Sequence, residues 1–128
     1  MQQELTDSYC AGSASGTGGR IIFISATLGY TGNQLQTHAV VAKAGVDALS
    51  VQIAIEQGPR GITSNVLAPG PILGTEGTDR LIKDGDSSSA SKGVPSGRLG
   101  HVKDVADATV FLFSDAGNYI NGETLVGK

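Results

Sequence analysis

The chain has 128 residues, 39% of them hydrophobic and 16% charged, with a formal net charge of −3 at pH 7. That is the size and balance of one globular domain, expected to be soluble and neither disordered nor membrane-spanning. Its 9 Lys and Arg are scattered singly, so no basic patch is available to neutralise a phosphate backbone and nucleic acid is not an expected partner. The lone cysteine, Cys10, cannot close an internal disulfide and makes no metal site.

Glycine is the informative excess. Its 19 residues are about twice the usual share of roughly 7%. Two segments rich in small polar residues, Ala11 to Gly19 and Asp84 to Gly97, read as flexible loops. No repeat of a solenoid period is present.

The β-branched and aromatic run Arg20 to Ser25 follows glycines and reads as a buried strand, parallel to its neighbours. Its apolar stretch Ile21 to Ile24, like Val110 to Phe113, is far short of a bilayer span. From Thr37 to Gln57 no proline occurs and Ala and long aliphatics dominate, so a helix of about five turns is expected. Thr37 is the expected cap, and Gly58-Pro59 the stop. This helix is apolar nearly all round, so it should be covered by the sheet on one side and plausibly by a partner subunit on another, which makes it the expected seat of a homo-oligomer. Ile62 to Ala68 predicts the second strand, broken by Pro69-Gly70-Pro71. A short helix is expected from Glu76 to Lys83. After the second loop, Val102, Val105, Ala106, Val110 and Phe113 recur at helical spacing, with Asp104 in the first turn and an end near Ser114. Asn121-Gly122 turns the chain into a last strand, Glu123 to Val126. The order β-α-β-α-β predicts a layered α/β fold.

Ligands of open α/β sheets bind beyond the carboxyl ends of the strands. Two loops leave such ends, Ala26 to Gln36 and Pro69 to Thr75. In the second, glycines and the Thr75 hydroxyl precede a helix start, which suits a phosphate or a carboxamide, although a plain Pro/Gly turn has the same composition. Lys43 lies among Val40, Val41, Ala42 and Ala44. Its stem can snorkel to water, the commoner arrangement, or its ammonium can serve a site. Asp47 can pair with it at i,i+4. Tyr30 and His38 stay ambiguous between packing and chemistry.

Ile21 to Ser25, Lys43-Ala44-Gly45, Asn65 to Gly70, Gly97-Arg98-Leu99-Gly100 and Ile120-Asn121-Gly122 occur in the order typical of short-chain dehydrogenase/reductases. Within that superfamily the runs SATLGYTG (25 to 32), QTHAVVAKAGVDALS (36 to 50) and LAPGPILGTEG (67 to 77) most resemble peroxisomal 2,4-dienoyl-CoA reductases. The resemblance covers about 20 to 126 and implies part of a Rossmann-type doubly wound parallel sheet. Residues 1–19 would be a helix remnant and linker. It also implies NADPH as cofactor, an unsaturated acyl-CoA substrate of β-oxidation and a peroxisomal location. By the same resemblance Lys43 would be catalytic and bind the nicotinamide ribose. Pro69, Gly70, Pro71, Ile72, Leu73, Gly74 and Thr75 would hold the nicotinamide end, and Arg80 would contact the acyl-CoA.

The sequence departs from the family pattern in two ways. A Tyr four residues before the Lys and a Ser thirteen before that Tyr are usual; here Ala39 and Ala26 stand there. Alanine supplies no proton, so an alkoxide formed from a ketone would have no positioned acid. Reduction of a conjugated thioester needs an oxyanion site and a proton on carbon instead, and the dienoyl-CoA reductases also lack that Tyr. In addition, no G-x-x-x-G-x-G follows an opening strand, and Gly12 to Gly19 precedes a strand. The chain is therefore expected to be the C-terminal half of a reductase, truncated at both ends and inactive by itself, either as a fragment or as an associate of full-length subunits.

Overall fold

A computed structural model describes residues 18–81 and 91–128. The expected remnant and linker over 1–17, Cys10, the end of the short helix at Lys83 and the loop residues 84–90 lie outside the described residues. Three strands, β1 (Arg20–Ile24), β2 (Thr63–Pro69) and β3 (Thr124–Gly127), form one parallel sheet in the order β1-β2-β3. Between them run α1 (Leu28–Thr31), α2 (Thr37–Gln57), α3 (Glu76–Leu81) and α4 (Val102–Phe113). The α/β reading stands, as do the three strands and their direction.

β2 is the middle strand and the buried one. Ser64 to Ala68 are all buried, with Val66 and Ala68 almost without solvent contact. Side chains alternate across it. Ser64 bonds the Ser50 hydroxyl of α2 at 2.9 Å, whereas Leu67 lines a cavity with Val105 and Ala108 of α4. The two helices therefore lie on opposite faces of the sheet, an arrangement that demands a strand hydrophobic on both sides.

Register places Ile24 opposite Leu67 and Pro69 opposite Gly127. Pro69 thus belongs to β2, contrary to the expected break before it. As the last residue of the strand it gives up only its own N–H, while its carbonyl accepts from Thr27 N at 3.1 Å and the next donor, Gly70 N, reaches Gly127 O at 2.6 Å.

Helix α2 has the expected bounds, but its start is uncapped by a side chain. Gln36 holds the cap position and Thr37 is the first helical residue. At the other end Gly58-Pro59 does not stop the chain at once. A 3-10 turn, Gly58–Arg60, follows, and Gly61 at φ 73° reverses it. By length and composition alone, an 18-residue window of this helix is apolar enough to cross a membrane. The contiguous apolar runs were short because Lys43, Asp47 and Glu56 interrupt them. In the fold α2 lies on β2 and β1, burying Ser50 and Ala54, while Val41 and Ile55 remain about two-thirds exposed among the described residues.

Two asparagines fasten β3 to the middle strand. Asn65 donates to Ile120 O at 2.9 Å and accepts from Glu123 N at 3.1 Å. Asn121 accepts from Ser64 N at 2.8 Å and donates to Ala54 O at 3.1 Å. Arg20, at the start of β1, donates to Leu112 O and Ser114 O at 2.8 and 2.7 Å and also to the Asn118 side-chain oxygen. A guanidinium on the final carbonyls of α4 satisfies acceptors that the helix itself leaves open.

Candidate active site

β1 and β2 end side by side. Ser25 N donates to Leu67 O at 2.7 Å, and the α1 turn is tied across to Pro69 O through Thr27 N. Lys43, in the second turn of α2, is half-buried and donates from Nζ to Ile24 O at 2.9 Å, while Ser25 Oγ donates to the Lys43 carbonyl at 3.4 Å. The ammonium therefore lies at the carboxyl edge of the sheet, in an exposed bond to Ile24 O. Ala39 lies one turn earlier and Ala26 just past β1. Neither offers a hydroxyl to this edge.

The Lys43–Asp47 pair expected from spacing does not form. Asp47 instead accepts from the Tyr30 phenol at 2.5 Å through Oδ2, leaving Oδ1 buried without a partner. This resolves Tyr30. Its hydroxyl donates to a carboxylate, which raises the phenol above its usual pKa and straps α1 to α2. His38 is exposed on the first turn of α2.

The loop Pro69 to Thr75 is ordered by hydroxyls that were not all foreseen. Thr75 Oγ1 donates to Ile72 O at 2.8 Å, and buried Thr78 accepts from Ile72 N at 3.1 Å. The Thr75 carbonyl accepts from Thr78 N and Asp79 N, opening α3. Gly74 has φ 74°, and a Cβ there would meet nothing within 4 Å, so the loop leaves open space at the bend. Arg80 lies on α3, four residues into the helix from Glu76.

On its outer side the loop pairs with residue 100. Gly100 N donates to Pro71 O at 3.0 Å and Leu73 N donates to Gly100 O at 2.8 Å, a parallel bridge with Ile72 at its centre. The run Gly97-Arg98-Leu99-Gly100, recognised as a family string but given no role, is fastened by Asp104. Arg98 reaches both carboxylate oxygens at 2.7 and 3.1 Å, and His101 N donates to Oδ2 at 2.8 Å. These contacts, the guanidinium first, hold Asp104 down at about 2. A cavity of about 350 Å³ lies behind the loop on the α4 side, lined by Leu67, Pro69, Ile72, Val94, Val105 and Leu125. Lys43 does not line it. Among the described residues no three His, Cys, Asp or Glu side chains gather as a metal site.

A family profile described as enoyl-(acyl carrier protein) reductase matches residues 8–127. The chain belongs to the short-chain dehydrogenase/reductase family. Its relatives include the peroxisomal 2,4-dienoyl-CoA reductase SPS19 of Saccharomyces cerevisiae, 43% identical over 121 residues, or 94% of this chain and 41% of that protein. They also include the 3-oxoacyl-[acyl-carrier-protein] reductase FabG of Haemophilus influenzae, 47% identical over 107 residues, or 84% of this chain and 43% of that one. Among solved structures, a short chain dehydrogenase from Bacillus anthracis superposes with a TM-score of 0.77 at 32% identity, covering 99% of this chain and 48% of that one. The chain spans about two fifths of the length of the curated relatives it matches.

A short-chain dehydrogenase/reductase uses a nicotinamide cofactor, and the residues here fit one end of it. Lys43 carries three N–H donors, and among the described residues only Ile24 O takes one. The loop that leaves β2 is held by hydrogen bonds of Thr75, Thr78 and Gly100, with open space at Gly74. Gly12 to Gly18 has the G-x-x-x-G-x-G spacing, but it precedes β1, and no such string follows a strand among the described residues. For the family, the absence of hydroxyls at 39 and 26 is the chemically decisive departure.

Proposed function

We propose that this chain carries the nicotinamide-side and substrate-side part of an NADPH-dependent reductase of the 2,4-dienoyl-CoA type, acting on unsaturated acyl-CoA in the peroxisome. The observation that carries this reading is a lysine fixed at the carboxyl edge of the sheet with alanines where ketone reductases keep their acid. The bound cofactor would supply a hydride. Lys43 would orient its ribose hydroxyls with the donors left free by Ile24 O, and its charge would stabilise the acidic group or water that places a proton on carbon. Pro69 to Thr75 would hold the nicotinamide, and Arg80 would meet the anionic acyl-CoA. Alone, the chain is expected to be inactive or nearly so, because among the described residues no G-x-x-x-G-x-G follows a strand to receive the cofactor phosphates. The exposed Val41 and Ile55 on α2 favour association with another subunit through that helix.

The 3-oxoacyl reductase likeness is the second reading, favoured by the identity to FabG. A graft separates the two. Residues 20–126 would replace the matching segment of the yeast dienoyl-CoA reductase and, separately, of FabG. The first chimera is expected to keep dienoyl-CoA reduction, and the second to lose ketone reduction by about a hundredfold or more, the usual contribution of a general acid. Ketone reduction at parental rate in the FabG chimera would reject the dienoyl-CoA reading.

A further inference from the structure

The loop Pro69 to Thr75 is positioned from two sides. At its β2 end it is held by Thr27 N on Pro69 O and by Gly70 N on Gly127 O. Its far part, Ile72 to Thr75, is folded on itself by Thr75 and Thr78, and those bonds set its shape but not its place. Its place is set by Gly100, through the bonds to Pro71 and Leu73. Close approach is needed here, since a Cβ on Gly100 would come within 2.6 Å of Ile72 Cδ1. Gly100 in turn sits between Arg98 and the first turn of α4, and one carboxylate, Asp104, grips both the Arg98 guanidinium and the His101 amide.

We infer that Arg98 and Asp104 are positioning residues for the nicotinamide-binding loop: their bidentate pair holds Gly100 against Pro71 and Leu73, and so fixes the loop's distance from Lys43. The inference rests on the cofactor reading of that loop. The pair is exposed, with side chains 57% and 44% accessible, so its loss leaves global stability almost unmoved. What changes is local opening of the bridge. Because guanidinium and carboxylate meet through two parallel bonds, a lysine at 98 keeps the charge but not the geometry.

The test is hydrogen exchange read by mass spectrometry on the full chain, comparing the parent with Arg98→Lys and Asp104→Asn and following the peptides spanning 70–76 and 98–102. Both variants are expected to exchange these peptides about tenfold faster at low salt while β2 stays protected and the melting temperature holds. About 1 M salt, which screens an exposed pair, is expected to bring the parent toward the variants and to leave the variants unchanged. A parallel arm adds NADPH at roughly 10 mM, above the approximately millimolar affinity expected of a partial site. It is expected to slow exchange over 70–76 in the parent and much less in the variants. Unchanged exchange in both variants overturns the clip, and faster exchange with undiminished NADPH protection overturns its bearing on the cofactor. No NADPH response in the parent overturns the cofactor reading of the loop, while the first comparison still decides the clip.

Discussion

Lys43 carries most of the chemistry argued here, and its environment makes the expected effect of losing it specific. Lys43→Met keeps stem and helix propensity but removes the donor on Ile24 O and those proposed for a ribose. In the yeast chimera it is expected to lower kcat/KM on a dienoyl-CoA by about a hundredfold, roughly 3 kcal/mol of barrier. A rate within threefold of the chimera's would remove the role of Lys43. Tyr30 behaves differently. Its bond to Asp47 raises the phenol, so the bond contributes below the ordinary Tyr pKa of 10.0 and is lost as pH climbs through the raised folded value. A spectrophotometric titration should show a phenol ionising above the ordinary value that Tyr30→Phe removes and that Asp47→Asn brings back down. Asp104 has the opposite sign. Its contribution is complete above 3.8 and disappears as pH falls through about 2, so the salt-sensitive loop behaviour should persist unchanged at pH 5 and be lost only in strong acid.

Among the elements, β2 and its asparagine fastening decide whether the rest has a place to stand. Asn65→Ala would leave Ile120 O and Glu123 N without their partner, which is expected to cost about 2 kcal/mol and to free β3 before β1. Leu67→Ala, at a buried position against α4, is expected to cost about 3 kcal/mol. Chemical denaturation read against exchange at 124–127 would distinguish the two, since the core deletion should lower all protection together. Much of this architecture was legible. β-branched runs between glycines and a proline-free Ala-rich stretch have one local answer each, and the strands and α2 fall within a residue or two of expectation. Three features were not legible for one shared reason. Pro69 stays in its strand, Asp47 turns to Tyr30, and Arg98 clips Asp104, because each depends on what a distant segment presents. Helical spacing placed Lys43 and Asp47 on one face but could not know that Ile24 O and Tyr30 would outbid each for the other.

For the molecule as a whole, the sheet has two unpaired edges among the described residues, β1 and β3, and α2 shows apolar side chains on the face away from the sheet. Such surfaces associate. The purified chain is expected to run as an oligomer or to aggregate, measured by light scattering across a concentration series; a monomer with a sharp cooperative melt would contradict this. The family was readable because the strings that carry it are long and lie in one stretch of chain, whereas the support of the Pro69 to Thr75 loop by residue 100 is spread over some thirty positions.

Arg20 has a consequence in time. It opens β1, yet its acceptors Leu112 O and Ser114 O lie 92 and 94 residues further along. On the ribosome β1 therefore emerges with its charged anchor unmatched and waits for 92 to 94 further residues, while β2 arrives before the strand that will cover its other side. Closing loops of that length is slow compared with winding α2 or α4. During synthesis the helices are expected to form early, the Arg20 anchor to close once residue 114 clears the exit tunnel, and the sheet to be complete only when β3 follows.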